Sequence, residues 1–462
     1  MIEKHLAEEV LALATSTGGD FGEIYMEDTV AHGVSMRSSA VEQVNSTRKH
    51  GAGIRAFSGK KSIYAYTNDT SRDGLISCAR QVAAAIAEGT GAKQIPFHET
   101  HWGKEEMILL PPSKVKTSRK VEKLRFADAA ARGLSNEIVQ VSVSFSDQEK
   151  DILVANTEGV FSTDHRVYSR FVVSAIASDG KDNQTGSETP GGTMGFEIFD
   201  HVINPQQLGI SAAQVALTML HAPFCPKGVM PVVLDGGFGG VIFHEACGHS
   251  LEATSVAFGN SEFAGKLGLQ IASPIVTAVD DGTMDDAWGS TPIDDEGIPT
   301  NKLILIKNGI LKNYMIDRLG GRRMNMPSTG SGRRQDYTFA PTSRMRNTYI
   351  CPGKDHEEEI IRSMGEGLYA KKLGGGSVNP ATGEFNFSVM EGYMVKDGKV
   401  ACPVRGASLI GKGSEVLMKI DRVGDESTLA LAAGMCGSLS GQVPVTVGQP
   451  MIRVSSMTVG GR

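Results

Sequence analysis

Met230-Pro-Val-Val-Leu-Asp-Gly-Gly-Phe-Gly-Gly-Val-Ile-Phe-His-Glu-Ala-Cys-Gly-His249 is the stretch on which the reading of this chain turns. Met230 to Leu234 has the apolar run of a buried strand. Asp235 and the glycines to Gly240 form a tight turn, and Val241 onward begins a helix. That helix carries His244, Glu245 and His249. Metallopeptidases commonly space two histidines four apart, because positions i and i+4 share a helical face. At about 100° per residue such a pair is roughly 40° apart around the axis, whereas the five-residue spacing here gives roughly 140°. An ideal α-helix therefore cannot aim both rings at one ion. A π-type turn, with about 4.4 residues per turn, reduces the separation to roughly 50°. The sequence thus predicts a bulged or broken helix between His244 and His249, with Gly248 easing the distortion.

On this reading His244 and His249 are imidazole ligands and Glu245 is the general base of a metal-activated water. A catalytic zinc site takes a third protein ligand and leaves one position open. Spacing alone leaves that ligand open among Cys247, Glu252, Cys351, Cys402, Cys436 and the distant histidines. Two histidines near a helix start also suit ordinary core or capping roles. A dinucleotide site is a rival reading of Gly237-Phe-Gly239-Gly-Val241, but its third glycine is missing and no clean βαβ unit follows.

The wider chain fits a multidomain globular protein. Its 462 residues suggest two or three domains, and its 40% apolar and 21% charged residues are ordinary for a soluble chain. The net charge of −6 argues against nucleic acid as a partner. The six cysteines include no CxxC pair and do not form a disulfide framework. Met1-Ile2-Glu3-Lys4-His5 does not open a secretory signal, and no run approaches the ~18 apolar residues of a membrane span. The expectation is a cytoplasmic protein with no membrane association.

The expected fold class is α+β. An N-terminal α/β domain, 1–225, has a mixed sheet with helices. A β-rich C-terminal domain, 226–462, carries the histidine helix. Ile2, Leu6, Val10 and Leu13 mark a first helix, and Leu75, Ala79, Val82 and Ile86 a second, with Cys78 as a core thiol. Strands are expected at Glu23–Glu27, His32–Met36, Ala52–Phe57, Ser62–Tyr66, Ile138–Phe145 and Val167–Ala177. Further helices are expected near Ser118–Arg132, Pro205–His221 and Lys354–Ala370. His356-Glu-Glu-Glu359 would form a solvated first turn of the last one. Residues 100–118, with Pro111-Pro112, read as a loop. Asn308-Gly309 and Asp397-Gly398 signal tight hairpins, since both central positions of such turns need positive φ.

Several segments resemble the TldD/PmbA family of bacterial and archaeal peptidases. They are Gly239 to Ala253, which looks like that family's HExxxH helix; Gly434-Met-Cys-Gly437 with Gln442-Val-Pro-Val445 and Val447-Gly-Gln-Pro450; Ser328-Thr-Gly330 through Arg344-Met-Arg-Asn347; Gly51 to Phe57; and Tyr64 to Thr67. The resemblance spans essentially the whole chain. In that family the TldD-like subunit keeps HExxxH and the metal, and the PmbA-like (TldE) subunit lacks them. This chain, with the full motif, resembles the TldD type. The resemblance implies Cys436 as third ligand, Zn2+ as cofactor, short or unfolded peptides as substrates, and either a homodimer or a heterodimer with a TldE/PmbA paralogue. It leaves Cys247 as a small core side chain or a fourth ligand. Ser438-Leu-Ser440 departs from the charged residue expected after the cysteine. Arg333, Arg334, Arg344 and Arg346 are candidate transition-state stabilisers. The alternative function is a non-catalytic partner or maturation factor with a structural metal.

Overall fold

The computed structural model describes residues 1–86, 96–102, 108–379 and 381–462. The fold is α+β. In the first half one sheet runs in the spatial order Lys61–Thr67, Ala40–Ser58, Phe21–Arg37, Ile138–Asn156, Val160–Ser178, His98–His101. Its pairings are antiparallel except that of His98–His101 with Val160–Ser178, which makes the sheet mixed. Helices Lys4–Ala14 and Arg72–Ile86 bury Val10, Leu11, Leu75 and Val82 against it, with Cys78 in the same core. Helices Thr117–Arg132 and Pro205–His221 bury Leu124, Ala127, Ala212 and Ala216 in a second cluster.

The second half stacks two sheets around one core. The first is ordered Gly367–Asn379, Gly228–Leu234, Ile452–Gly460, Ser408–Lys412, Glu384–Lys396, Lys399–Val404, with Ile420–Val423 on Ile452–Gly460. The second runs Ile310–Leu311, Lys302–Lys307, Ala278–Asp281, Asn347–Ile350, Gly441–Gln449, Ala430–Ser438. Val241, Ile242, Phe243, Ala246 and Leu251 share a core with Leu234 and Leu368 of the first sheet and with Ala278, Leu305 and Val447 of the second. The histidine-bearing helix is therefore the filling of a two-sheet sandwich. Asn308 and Gly309 have φ of 50° and 79°, and Asp397 and Gly398 of 49° and 68°, as the hairpin signals require.

Four expectations change. Glu23–Glu27 and His32–Met36 are parts of one strand, Phe21–Arg37, which with Ala40–Ser58 forms a long hairpin. Residues 40–50 are exposed on both faces, so they carry no apolar period to read. The helix expected over Lys354–Ala370 is only Glu357–Arg362. Gly365, with φ of 71°, turns the chain, and Leu368–Ala370 pairs in parallel with Val232–Leu234. Within the expected loop 100–118, His101 ends a strand and Pro112–Lys114 is a single 3-10 turn, while 103–107 lie outside the described residues. The second arm of the Asn308-Gly309 hairpin, expected over Ile310 to Ile316, is only Ile310–Leu311.

The N-terminal sheet meets the C-terminal half through buried charge. Arg334 Nη2 donates to Glu23 Oε1 at 2.8 Å and to the Asp295 carbonyl at 2.8 Å. Its guanidinium lies 4.1 Å from the Tyr25 ring centroid. Arg55 Nη2 bridges Glu23 and Glu296, and Arg166 Nη1 holds Asp295 at 2.6 Å. Burial pushes the Glu23 and Asp295 carboxyls up, but facing cations, Arg55 and Arg334 for Glu23 and Arg166 and Lys150 for Asp295, together hold both below the usual carboxylate range.

Removing one partner of such a buried pair strands the other charge and costs about 3–5 kcal/mol. Arg334→Met is therefore expected to lower the thermal midpoint markedly, and adding Glu23→Gln to restore part of it. Because both carboxyls are depressed in the folded state, their contribution is complete above the unfolded value of about 4 and is lost as pH falls below it. Calorimetry between pH 7 and 3 should show the gap between wild type and Arg334→Met narrowing toward acid; a gap independent of pH would overturn this account of the interface.

Candidate metal centre

The chain from Gly237 to Leu251 is one continuous helical run whose middle, His244–Gly248, is a π turn. The angular arithmetic requires this distortion, and it turns the two histidines toward each other with ring centroids 5.3 Å apart. Gly248 contributes in a way different from that expected. Its φ of −55° is ordinary helix, so backbone freedom is not used. What it provides is space, since a Cβ there would lie 2.1 Å from the sulfur of the buried Met345. Gly240 does the same at the helix start, where a Cβ would lie 2.5 Å from the Gly448 backbone. The helix is thereby seated against Gly441–Gln449, whose hairpin partner Ala430–Ser438 carries Cys436.

His244, His249 and Cys436 bring one ligand atom each to within 4.8 Å of one another. His249 Nε2 is 3.3 Å from Cys436 Sγ. A tetrahedral zinc site, with bonds of about 2.0–2.1 Å to nitrogen and 2.3 Å to sulfur, puts neighbouring donors roughly 3.3–3.6 Å apart. The trio thus fits such an ion in donor chemistry, and the His249–Cys436 spacing matches it. The other ring nitrogens are held as ligating histidines need. His249 Nδ1 lies 3.1 Å from Glu252 Oε2, and His244 Nδ1 lies 3.0 Å from the Thr348 hydroxyl. Each Nδ1–H donates outward and leaves Nε2 to face the cluster.

The charges are poised in the same sense. Burial pushes the Cys436 thiol up, but His244 and His249 together bring it down to about 3. Burial lowers His249, and Glu252 with Cys436 overrides it and raises the ring well above the usual histidine value. Both shifts favour a thiolate beside an imidazolium, and a divalent cation would take the place of the imidazolium proton. Glu245 stands at the rim, its side chain 29% exposed and its Oε2 3.8 Å from His249 Nε2.

The remaining candidates have other places. Cys247 is buried in the apolar core, and burial raises its thiol far above the ordinary value. Cys351 and Cys402 are half-buried and lie outside the cluster. Glu252, a ligand candidate by sequence, supports His249 instead. His356 pairs with Asp425 at 2.6 Å, away from the cluster. Of the four arginines, Arg344 is fully buried and donates to the carbonyls of Cys436 and Gly441, pinning the cysteine hairpin. Arg334 and Arg346 are committed to Glu23 and Asp295, and to Thr291 and Gly330, respectively. Among the described residues Arg333 has a single side-chain hydrogen bond, from Nη1 to the Met345 carbonyl. Sequence reasoning missed Thr348 and the pinning role of Arg344. Glu252 carried a readable signal, because it follows His249 by three residues.

Family models match three consecutive parts of the chain: PmbA/TldA metallopeptidase domain 1 at 22–87, the central domain at 110–220, and the C-terminal domain at 227–461. The chain is 36% identical over 448 residues to a metalloprotease TldD homolog of Haemophilus influenzae, covering 96% of this chain and 93% of that one. It is 28% identical over 318 residues to a zinc metalloprotease TldD homolog of Saccharolobus solfataricus, covering 69% and 68% of the two. Among solved structures its fold is similar to TldE from Thermococcus kodakarensis, with a TM-score of 0.78 at 19% identity over 99% of this chain and 100% of that one. It is also similar to a putative modulator of DNA gyrase from Thermotoga maritima, with a TM-score of 0.79 at 21% identity over 99% and 100%.

The depressed thiol gives a direct test. In chelator-treated protein Cys436 should be thiolate throughout pH 5–8, so its alkylation by iodoacetamide should be nearly independent of pH there. Burial raises Cys78, Cys225, Cys247 and Cys351, so these should react only as pH climbs. Peptide mapping by mass spectrometry would read both, and a Cys436 rate rising tenfold per pH unit would contradict the thiolate.

Proposed function

Because this chain belongs to the PmbA/TldD metallopeptidase family, we propose that it is a catalytic, TldD-type, zinc-dependent peptidase acting on short or unfolded peptides. The observation that carries this reading is the cluster of His244, His249 and Cys436 around the π turn, with Glu245 beside it. His244, His249 and Cys436 would hold the ion. When bound, zinc supplies a Lewis acid that polarises the scissile carbonyl and brings the pKa of water to about 7.

The protein's own groups do the rest. The Glu245 carboxylate takes a proton from the attacking water as its oxygen bonds to the peptide carbon. It then returns that proton to the departing amine nitrogen as the C–N bond breaks. Glu245 is partly open, so water and substrate can reach it, while the ligands behind it stay dry. Glu252 fixes the His249 tautomer and Thr348 that of His244, which keeps both rings aimed without a search through rotamers. Arg344 holds the Cys436 carbonyl, so the hairpin cannot drift from the helix.

A cytoplasmic setting suits this chemistry, since the Cys436 thiolate must stay reduced to serve as a ligand. Among the described residues no helix is long and apolar enough to cross a membrane. The partner we propose is a second copy of the chain or a TldE/PmbA paralogue. Leu431, Met435 and Leu439, exposed on or beside the cysteine hairpin, give such a partner an apolar surface to cover.

Glu245→Gln should retain a full complement of metal and lose about 10²–10⁴-fold in kcat on a fluorogenic peptide, since that is what a general base contributes. Cys436→Ser and His249→Ala should instead lose the metal itself, read by elemental analysis after dialysis. Undiminished cleavage by Glu245→Gln would sink the mechanism.

A further inference from the structure

A cavity of about 650 Å3 lies between the N-terminal sheet and the cysteine hairpin. Its volume is in the range of ligand sites. Met435 and Pro444 of the hairpin form one wall, and Tyr168, Arg170 and Trp288 another. Most of the cations in its lining are already neutralised. Lys150 pairs with Glu27 at 2.9 Å, Arg166 with Asp295 at 2.6 Å, Arg334 with Glu23 at 2.8 Å, and Lys49 with Asp336 at 2.5 Å.

Two guanidiniums stand apart. Among the described residues neither Arg170 nor Arg333 has a carboxylate partner. Arg333 is nine-tenths buried or more, and its one hydrogen bond goes to a backbone carbonyl, that of Met345 at 2.6 Å. Arg170 stacks 5.6 Å from the Trp288 ring centroid and reaches the Ala433 carbonyl at 3.4 Å, leaving its buried Nε without an acceptor. Burial, and for Arg333 the facing charge of Arg346, pushes both guanidiniums down from their ordinary value. A guanidinium nevertheless keeps its proton at neutral pH. Neither charge forms an ion pair: Asp295 offsets Arg333 only at a distance, and Arg170 has the Trp288 face in place of a carboxylate, which is less than a buried structural guanidinium ordinarily receives.

The position of the cavity ties it to the proposed chemistry. Trp288 Nε1 donates to the Gly434 carbonyl at 2.9 Å, so the Arg170–Trp288 pair rests on the strand that carries Cys436. Arg333 leans on Met345, whose sulfur packs against Gly248 of the π turn. From this arrangement we infer that Arg170 and Arg333 form a carboxylate-binding subsite that recognises an anionic group of the peptide bound at the metal centre. The inference rests on the peptidase reading for its ligand class, and it adds what that reading lacks, a preference among peptides. A carboxylate suits two forked donors, and the group that supplies it is either the free C-terminus of the peptide or an Asp or Glu side chain.

The test uses the full-length, metal-loaded Glu245→Gln protein, so that binding is seen without turnover. Fluorescein-labelled peptides of one otherwise neutral sequence are compared by anisotropy: C-terminal acid against C-terminal amide, and internal Glu against internal Gln. At least one carboxylate arm should bind about tenfold or more tightly than its neutral counterpart, the contribution of a charge-assisted hydrogen bond; which arm it is identifies the source. Adding Arg170→Gln should bring that ratio toward one, and Arg333→Lys, which keeps the charge and loses the fork, should reduce it. Arg170 is only half-buried, so its variant keeps the test open if the Arg333 variant folds poorly. Equal binding of acidic and neutral peptides, or a preference that survives Arg170→Gln in folded protein, overturns the subsite. Cleavage of both peptide types by wild type at equal kcat/KM overturns it while leaving the peptidase reading intact. Acid-selective binding without hydrolysis by wild type supports it while removing that reading.

Discussion

His249 follows His244 by five positions, and the surrounding structure accommodates that spacing. A regular helix would point the rings roughly 140° apart. The π turn that brings them together leaves the backbone ladder imperfect, and such a turn persists only where packing over-determines it. Here the packing comes from both sides. Gly240 sits against the Gly448 backbone and Gly248 against Met345, positions where even a methyl group would collide. The two sheets of the sandwich bury the apolar residues on either side of the turn. The strand that carries Cys436 is the hairpin partner of the strand on which the helix rests, so the same close approach that stabilises the turn also sets the distance to Cys436.

Desolvated charge is the second organising feature, and it is handled in two different ways. At the junction of the two halves Glu23, Arg55, Arg334, Asp295 and Arg166 interlock so that each buried charge faces an opposite one. Such a lattice gives little net stability over an apolar equivalent, but it tolerates few other geometries. In the adjoining cavity Arg170 and Arg333 form no ion pair among the described residues. The contrast between neighbours in the chain, Arg334 ion-paired with Glu23 and Arg333 bonded to the Met345 carbonyl, separates a structural guanidinium from one available to a ligand.

Much of this was legible in the sequence, and the exceptions have physical causes. The histidine spacing called for a distorted helix because angular geometry depends only on backbone parameters. The paired positive-φ turns at Asn308-Gly309 and Asp397-Gly398 were legible for the same reason. The long arm of Phe21–Arg37 and Ala40–Ser58 was read only in part, because its outer portion faces solvent on both sides and has no apolar rhythm. The false helix beyond Arg362 arose because Leu368 and Ala370 are apolar for another reason, their burial in a parallel pairing with a strand more than a hundred positions earlier. Thr348 and Arg344 were invisible as site residues since nothing local marks them; they matter only because the fold brings them beside His244 and Cys436. Even Gly248, singled out correctly, acts through a contact with Met345 that no local pattern encodes.

Cysteine as the proposed third donor would have an electrostatic consequence. A divalent ion held by two neutral imidazoles and one thiolate would retain a single positive charge, and Glu252, buried behind His249, would offset part of it through the ring. Glu252 is in turn only loosely answered by Arg344, whose Nε lies 4.0 Å away and whose other nitrogens are spent on the Cys436 and Gly441 carbonyls and the Ser440 hydroxyl. The arginine thus acts mainly on position and only weakly on charge. It fixes the sulfur while leaving most of the Glu252 field directed at His249. Glu245 is the more accessible of the two glutamates, and under the proposed mechanism this division between a buried orienting carboxylate and an accessible one would separate holding a metal from using it.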